Sequence, residues 1–273
     1  MPERPVTRIS RLFERLRRER RRGLIAYLTA GDPEPQRTPE LVAALERGGA
    51  DLIELGMPFS DPIADGPVIQ RASERALRAG MTLAQLLEIA RTIRSRSEIP
   101  LLLFSYLNPV LRYGLEALAR DAAAAGLDGC LLTDLSVEEA HGYVGAMRRW
   151  GLDTVFLAAP TSTPRRLELV AKCSTGFVYL VSRTGVTGEQ ESLSRALAPL
   201  AKAMRAVTDL PLAVGFGISR PEHVAEAGAL ADAVVVGSAF VHLIERNREN
   251  ASLELQLESL ARELKHGFVR QPV

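Results

Sequence analysis

The sequence is poor in the groups that several common chemistries require. It has 2 cysteines, Cys130 and Cys173, far apart and outside any CxxC spacing. A disulfide framework and a zinc ribbon are therefore excluded, and a reducing compartment, the cytoplasm, is the simple expectation. Lys+Arg 34 against Asp+Glu 33 leaves a formal net charge of +1, without the basic excess expected of a nucleic-acid protein. No apolar run approaches the ~18 residues of a membrane span. GxGxxG and Walker motifs are absent, as is any linker rich in Pro, Gly or Ser. Of the basic residues only Lys172, Lys202 and Lys265 are lysine. All three fall in stretches with helical spacing, and so do His141, His223, His242 and His266. A lysine Schiff base and a histidine-bearing metal site thus have no candidate at a strand end, and no metal site is expected.

What is present is a regular beat. Eight apolar runs, Leu24–Leu28, Asp51–Leu55, Pro100–Phe104, Gly129–Leu132, Thr154–Ala158, Phe177–Val181, Pro211–Val214 and Ala233–Val236, are apolar on consecutive positions, as in parallel strands covered on both faces. Helix-like stretches separate them: Thr38–Arg47, Thr82–Arg94, Leu115–Ala125, Val137–Trp150, Pro164–Lys172, Ser194–Val207 and Pro221–Ala227, with Leu253–Leu264 last. Eight strand–helix units in one domain over residues 1–273 point to an α/β fold, a single (β/α)8 TIM barrel. A doubly wound sheet is the rival, but it calls for a Gly-rich turn after the first strand, where this chain reads Thr29-Ala30-Gly31-Asp32-Pro33. The first 22 residues hold nine Arg. Glu3, Glu14 and Glu19 interrupt that run, and Ile9, Leu12, Phe13 and Leu16 share one helical face. We read residues 1–22 as an amphipathic N-terminal helix packed on the barrel rather than a targeting peptide.

In such barrels the site lies at the C-terminal ends of the strands. Strand 2 ends in Glu54, followed by the loop Gly56–Gly66 with Asp61 and Asp65. Burial of Glu54 at the mouth would raise its pKa toward the proton-transfer range, and Asp65 supplies a second carboxylate in a different setting. Strand 3 offers Tyr106 and Asn108, strand 4 Thr133 and Asp134, and strand 6 Tyr179 followed by Ser182-Arg183-Thr184-Gly185-Val186-Thr187-Gly188. Gly217 and Gly237 at the ends of strands 7 and 8, with Ser238 opening the next helix and Gly188 from loop 6, read as a phosphate cup of backbone amides. With no site lysine or metal, any C–C cleavage here must use an electron sink inside the substrate, with carboxylates moving the protons. The loop 182–191 has few apolar anchors and is expected to act as a lid.

These residues resemble the tryptophan synthase α subunits. The resemblance is carried by Leu28-Thr29-Ala30-Gly31-Asp32-Pro33, by Leu52–Pro67 with its Glu54-Leu55-Gly56-Met57-Pro58-Phe59-Ser60-Asp61-Pro62 core, by Tyr179–Gly188, and by Gly215-Phe216-Gly217-Ile218. It implies cleavage of indole-3-glycerol phosphate to indole and glyceraldehyde 3-phosphate, with the indole ring as the sink. By the same resemblance Glu54 is the general acid/base, Asp65 holds the indole N–H, and Tyr179 stands beside Glu54. Tyr27, Phe104, Tyr106, Leu131 and Leu157 wall the indole pocket. Arg183 and Thr187 belong to the lid, Thr187 closing onto Asp65, and Gly188, Gly217, Gly237 and Ser238 hold the phosphate. Pro58, Phe59, Asp61 and Asn108 face a β subunit in an α2β2 assembly. That partner would hold pyridoxal phosphate and receive the indole, and this chain would hold no cofactor. The chain departs from the family at Ser136, where a proline is usual. A stand-alone lyase releasing free indole, a non-catalytic activating subunit and another phosphosugar barrel are the alternatives.

Overall fold

Eight parallel strands close on themselves in chain order: β1 (Gly23–Thr29), β2 (Leu52–Gly56), β3 (Leu101–Ser105), β4 (Gly129–Leu132), β5 (Asp153–Ala158), β6 (Val178–Val181), β7 (Leu212–Gly215) and β8 (Ala233–Val236), with β8 pairing back onto β1. The computed structural model describes residues 6–181, 193–215 and 217–270. The unbroken apolar runs follow from burial on both faces. Leu24, Ala26 and Leu28 of β1 face outward into the core shared with the helices, whereas Ile25 and Tyr27 point into the barrel with Leu52, Leu102, Leu131 and Val155. Glu54 lies on the inward side of this alternation, register-paired with Tyr27 on one side and Leu102 on the other.

The helical segments read from spacing appear within a few residues of their expected bounds, with one division. The stretch 137–150 forms a 3-10 turn, Val137–Glu139, and a separate helix, His141–Arg149. Three further helices, Pro67–Arg78, Leu107–Tyr113 and Ser238–Asn247, complete the connections after β2, β3 and β8. No helix among the described residues is long and apolar enough to cross a membrane.

The N-terminal end of the barrel is closed by α1 (Arg8–Arg18). Thr7 caps it, accepting from the Ser10 amide while Ser10 Oγ reciprocates toward the Thr7 amide. Ile9, Leu12, Phe13 and Leu16 are buried against the barrel interior, and the Phe13 ring lies 5.7 Å from that of Phe177. The Thr7 hydroxyl also donates to the fully buried Asp153, which accepts from Thr175 Oγ1 at 2.7 Å. Three more aspartates standing before strands do similar work at this end. Asp51 accepts from the Leu24 amide (2.7 Å), Asp128 from Leu101 (2.9 Å) and Asp232 from Leu212 (2.8 Å). Asp51 is therefore a cap on β1 rather than the first residue of β2. These ties spare buried amides the cost of lost hydrogen bonds. Phe13→Ala should cost about 3–5 kcal/mol by emptying this plug. Thermal unfolding should show a melting temperature lower by roughly 10 °C, and an unchanged one would mean α1 contributes little.

Candidate active site

At the opposite, C-terminal end, Glu54 is 1% exposed, and neither carboxylate oxygen has a hydrogen-bond partner among the described residues. An unsatisfied buried carboxylate is costly, and the cost is lowered by keeping its proton. Burial raises its pKa from 4.5 to about 8. Between those two values the native state holds a proton that the unfolded chain has released. Stability contributed at this position is thus present at low pH and declines as pH rises from 4.5 to about 8. Glu54→Gln, which cannot ionise, should melt close to wild type at pH 5 and several degrees above it at pH 8.5. An identical difference at both pH values would mean that Glu54 titrates normally.

Asp65, half-buried near the end of the β2 loop, is tied to Tyr106 after β3. Burial raises its pKa from 3.8 to about 6, opposed by a hydrogen bond from the Tyr106 hydroxyl to Oδ2 at 3.0 Å. The same hydroxyl accepts from the Ala64 amide at 2.9 Å, and Gln70 Nε2 donates to the Asp65 carbonyl at 2.9 Å. The two carboxylates are thus unlike: at neutral pH one keeps its proton and the other does not, the arrangement that separates acid from base.

Aromatic side chains surround them. Tyr27 and Phe104 pack edge-on at 5.2 Å. Burial raises the pKa values of Tyr27 and Tyr179 well above 10, and the nearby Glu54 and Asp65 carboxylates raise them further, so both stay neutral phenols. Two glycines make room for these rings. A Cβ at Gly56 would meet the Tyr27 hydroxyl at 2.3 Å, and one at Gly215 the Tyr179 hydroxyl at 2.0 Å. Leu131 is fully buried, while Leu157 is only partly so.

Gly217 has φ +77°, a left-handed backbone that suits glycine. Gly237 precedes the Ser238–Asn247 helix as its N-cap, without a side-chain capping bond, and Ser238 is exposed at the first helical position. Helix start and strand ends therefore place amides at the mouth near β7 and β8. The expected site residues Arg183, Thr187 and Gly188 lie outside the described residues. Asp61 and Asn108 are exposed and Phe59 partly so, but Pro58 is buried and shapes the loop from within. Ser136 has φ −64°, a value proline would share, and its hydroxyl donates to Glu138 at 2.6 Å.

Sequence reasoning did not find Gln70, nor Ile63 and Leu111, which are 83% and 54% exposed, Ile63 in the loop of Asp61 and Leu111 in the helix of Asn108. An apolar side chain standing in a Pro/Asp loop was the available signal for Ile63. No group of three or more His, Cys, Asp or Glu side chains among the described residues is placed to hold a metal ion.

Comparison with known proteins agrees over almost the whole chain. A family model described as tryptophan synthase alpha chain matches residues 13–269. The chain is 75% identical to the tryptophan synthase alpha chain of Solibacter usitatus, over 96% of this chain and 98% of that one. It is 48% identical to that of Geobacter sulfurreducens, over 88% and 91%. Among solved structures, tryptophan synthase subunit alpha from Legionella pneumophila superposes with a TM-score of 0.88 at 36% identity, covering 97% of this chain and 100% of that one. A tryptophan synthase structure from Mycobacterium tuberculosis gives 0.88 at 39%, covering 97% and 99%.

Proposed function

The chain belongs to the tryptophan synthase alpha chain family, a lyase family of tryptophan biosynthesis, and we propose that the Glu54–Asp65 mouth carries out its cleavage of indole-3-glycerol phosphate to indole and glyceraldehyde 3-phosphate. The observation that carries the proposal is the buried carboxyl of Glu54, without a hydrogen-bond partner among the described residues, which acts on the same two tyrosines, Tyr27 and Tyr179, as the Asp65 carboxylate of lower pKa.

With a pKa of about 8, Glu54 enters the reaction protonated. It gives its proton to indole C3 as the ring nitrogen feeds electrons toward that carbon. The cationic indolenine that results is held by the ionised Asp65 on its N–H. Glu54, now a carboxylate, takes the proton of the glycerol hydroxyl next to the breaking bond. The C–C bond electrons return to the ring, leaving neutral indole, the aldehyde of glyceraldehyde 3-phosphate and a reprotonated Glu54. Tyr27, Phe104, Leu131 and Leu157 enclose the ring. Amides around Gly217 and Gly237, with Ser238, take the phosphate, joined by Gly188, while Arg183 and Thr187 cover the site.

We place a tryptophan synthase beta chain against Phe59, Asp61 and Asn108, with Ile63 and Leu111 adding apolar area, in an α2β2 assembly in the cytoplasm. Pyridoxal phosphate belongs to that partner, and this chain works as one domain without a cofactor of its own. The test is to incubate the purified chain with indole-3-glycerol phosphate, with and without a beta chain, and to quantify both products. Equal amounts of indole and aldehyde, formed faster with the partner, support the reading. Absence of both products in both arms overturns it.

A further inference from the structure

Building on the cleavage reading above, we propose that Tyr106 is a positioning residue that links the partner-facing stretch of the β2 loop to the carboxylate of Asp65. Family resemblance makes Tyr106 a pocket wall, but its contacts give it a second task. Its side chain touches the loop at both ends. The ring lies 5.1 Å from that of Phe59 at 34°. The hydroxyl accepts from the Ala64 amide at 2.9 Å and donates to Asp65 Oδ2 at 3.0 Å. That is the hydrogen-bond donor which the described residues offer to the carboxylate.

Tyr106 itself is anchored on the barrel. It is 2% exposed and directly follows β3. The neighbouring Ser105 carbonyl accepts from the Thr133 amide at 3.0 Å, and the Leu107 amide donates to Asp134 Oδ1 at 2.7 Å. A tyrosine turns about only two side-chain bonds, so a push on the ring from Phe59 also moves the hydroxyl. Hydrogen bonds weaken steeply with angle, so a small displacement at the partner-facing end alters the hold on Asp65. Phe59 is partly exposed and neighbours the exposed Asp61 and Ile63, so a docked chain can set that ring directly. The partner's effect on cleavage then reaches the site through one side chain without rearranging the barrel.

Tyr106→Phe tests this, because it keeps the ring against Phe59 and removes only the hydroxyl. The hydrogen bond favours the ionised form of Asp65. Its loss moves the acid limb of the kcat/KM profile to higher pH, by roughly one unit. It also lowers kcat on the order of 10-fold or more with little change in KM, and it shrinks the acceleration given by the beta chain. An unmoved acid limb overturns the proposal, whether kcat is unchanged or falls together with the melting temperature. If the variant does not fold, wild-type protein with labelled tyrosine and aspartate provides the measurement. The Tyr106 ring carbon bearing the hydroxyl should titrate with the same midpoint as the Asp65 carboxyl and should shift when the beta chain is added. Separate midpoints, or no response to the partner, overturn it. A wild-type chain that releases no indole contradicts the cleavage reading instead, and the titration still decides the link.

Discussion

Glu54→Gln should abolish cleavage while leaving ligand binding in place. The amide matches the carboxyl in size but cannot give up and recover a proton, and general acid–base groups contribute roughly 10²–10⁴-fold. The loss should reach or exceed the top of that span, because one residue handles both the proton delivered to C3 and the proton removed from the hydroxyl. Binding should persist because Glu54 makes no hydrogen bond to the described residues that the substitution could break. Single-turnover indole release, measured beside the dissociation constant of a non-reacting indole alkyl phosphate, separates the two effects. Near-normal release in the variant would remove Glu54 from the mechanism.

Gly217→Val should be nearly as damaging for a different reason. The φ of +77° at Gly217 lies where a β-branched residue is a genuine outlier, so the backbone must move and carry its amide away from the phosphate. Hydrogen bonds to charged groups are worth about 1.5–3 kcal/mol each. Losing one or two should weaken binding of phosphorylated ligands on the order of 100-fold. Ser238→Ala removes one exposed hydroxyl from the helix start and should cost far less. Indole, which carries no phosphate, should bind both variants almost as it binds wild type. Equal losses for indole and glycerol phosphate in Gly217→Val would point to a general loss of structure and would discredit the cup.

The barrel was legible because two-sided burial writes itself into consecutive apolar residues, and every strand falls within one or two positions of its run. The Pro67–Arg78 helix was missed for the converse reason. Only Ala72, Ser73 and Ala76 are fully buried in it, and small side chains give a weak helical signal. The division at 140 was equally hidden, since a 3-10 turn and the helix after it share nearly one apolar pattern. Within the site, residue types at strand ends located Glu54, Asp65 and the glycines. What no linear pattern held was pairing at a distance. Tyr106 meets Asp65 across 41 positions, and the lack of a hydrogen-bond partner for Glu54 among the described residues is a property of the surrounding shell. The family resemblance supplied roles for these residues, whereas the geometry supplies the reason two nearby carboxyls hold their protons over different pH ranges.

In our reading one mouth holds the indole ring between Glu54 and Asp65 and the phosphate at the ends of β7 and β8. A crystal structure with indole-3-propanol phosphate, which lacks the reacting hydroxyls, is the decisive measurement. The ring N–H should lie within about 3.2 Å of an Asp65 oxygen, with the Glu54 carboxyl facing C3 and the phosphate on amides near Gly217 and Gly237. A ligand seated elsewhere, or turned so that its ring nitrogen faces away from Asp65, would contradict it.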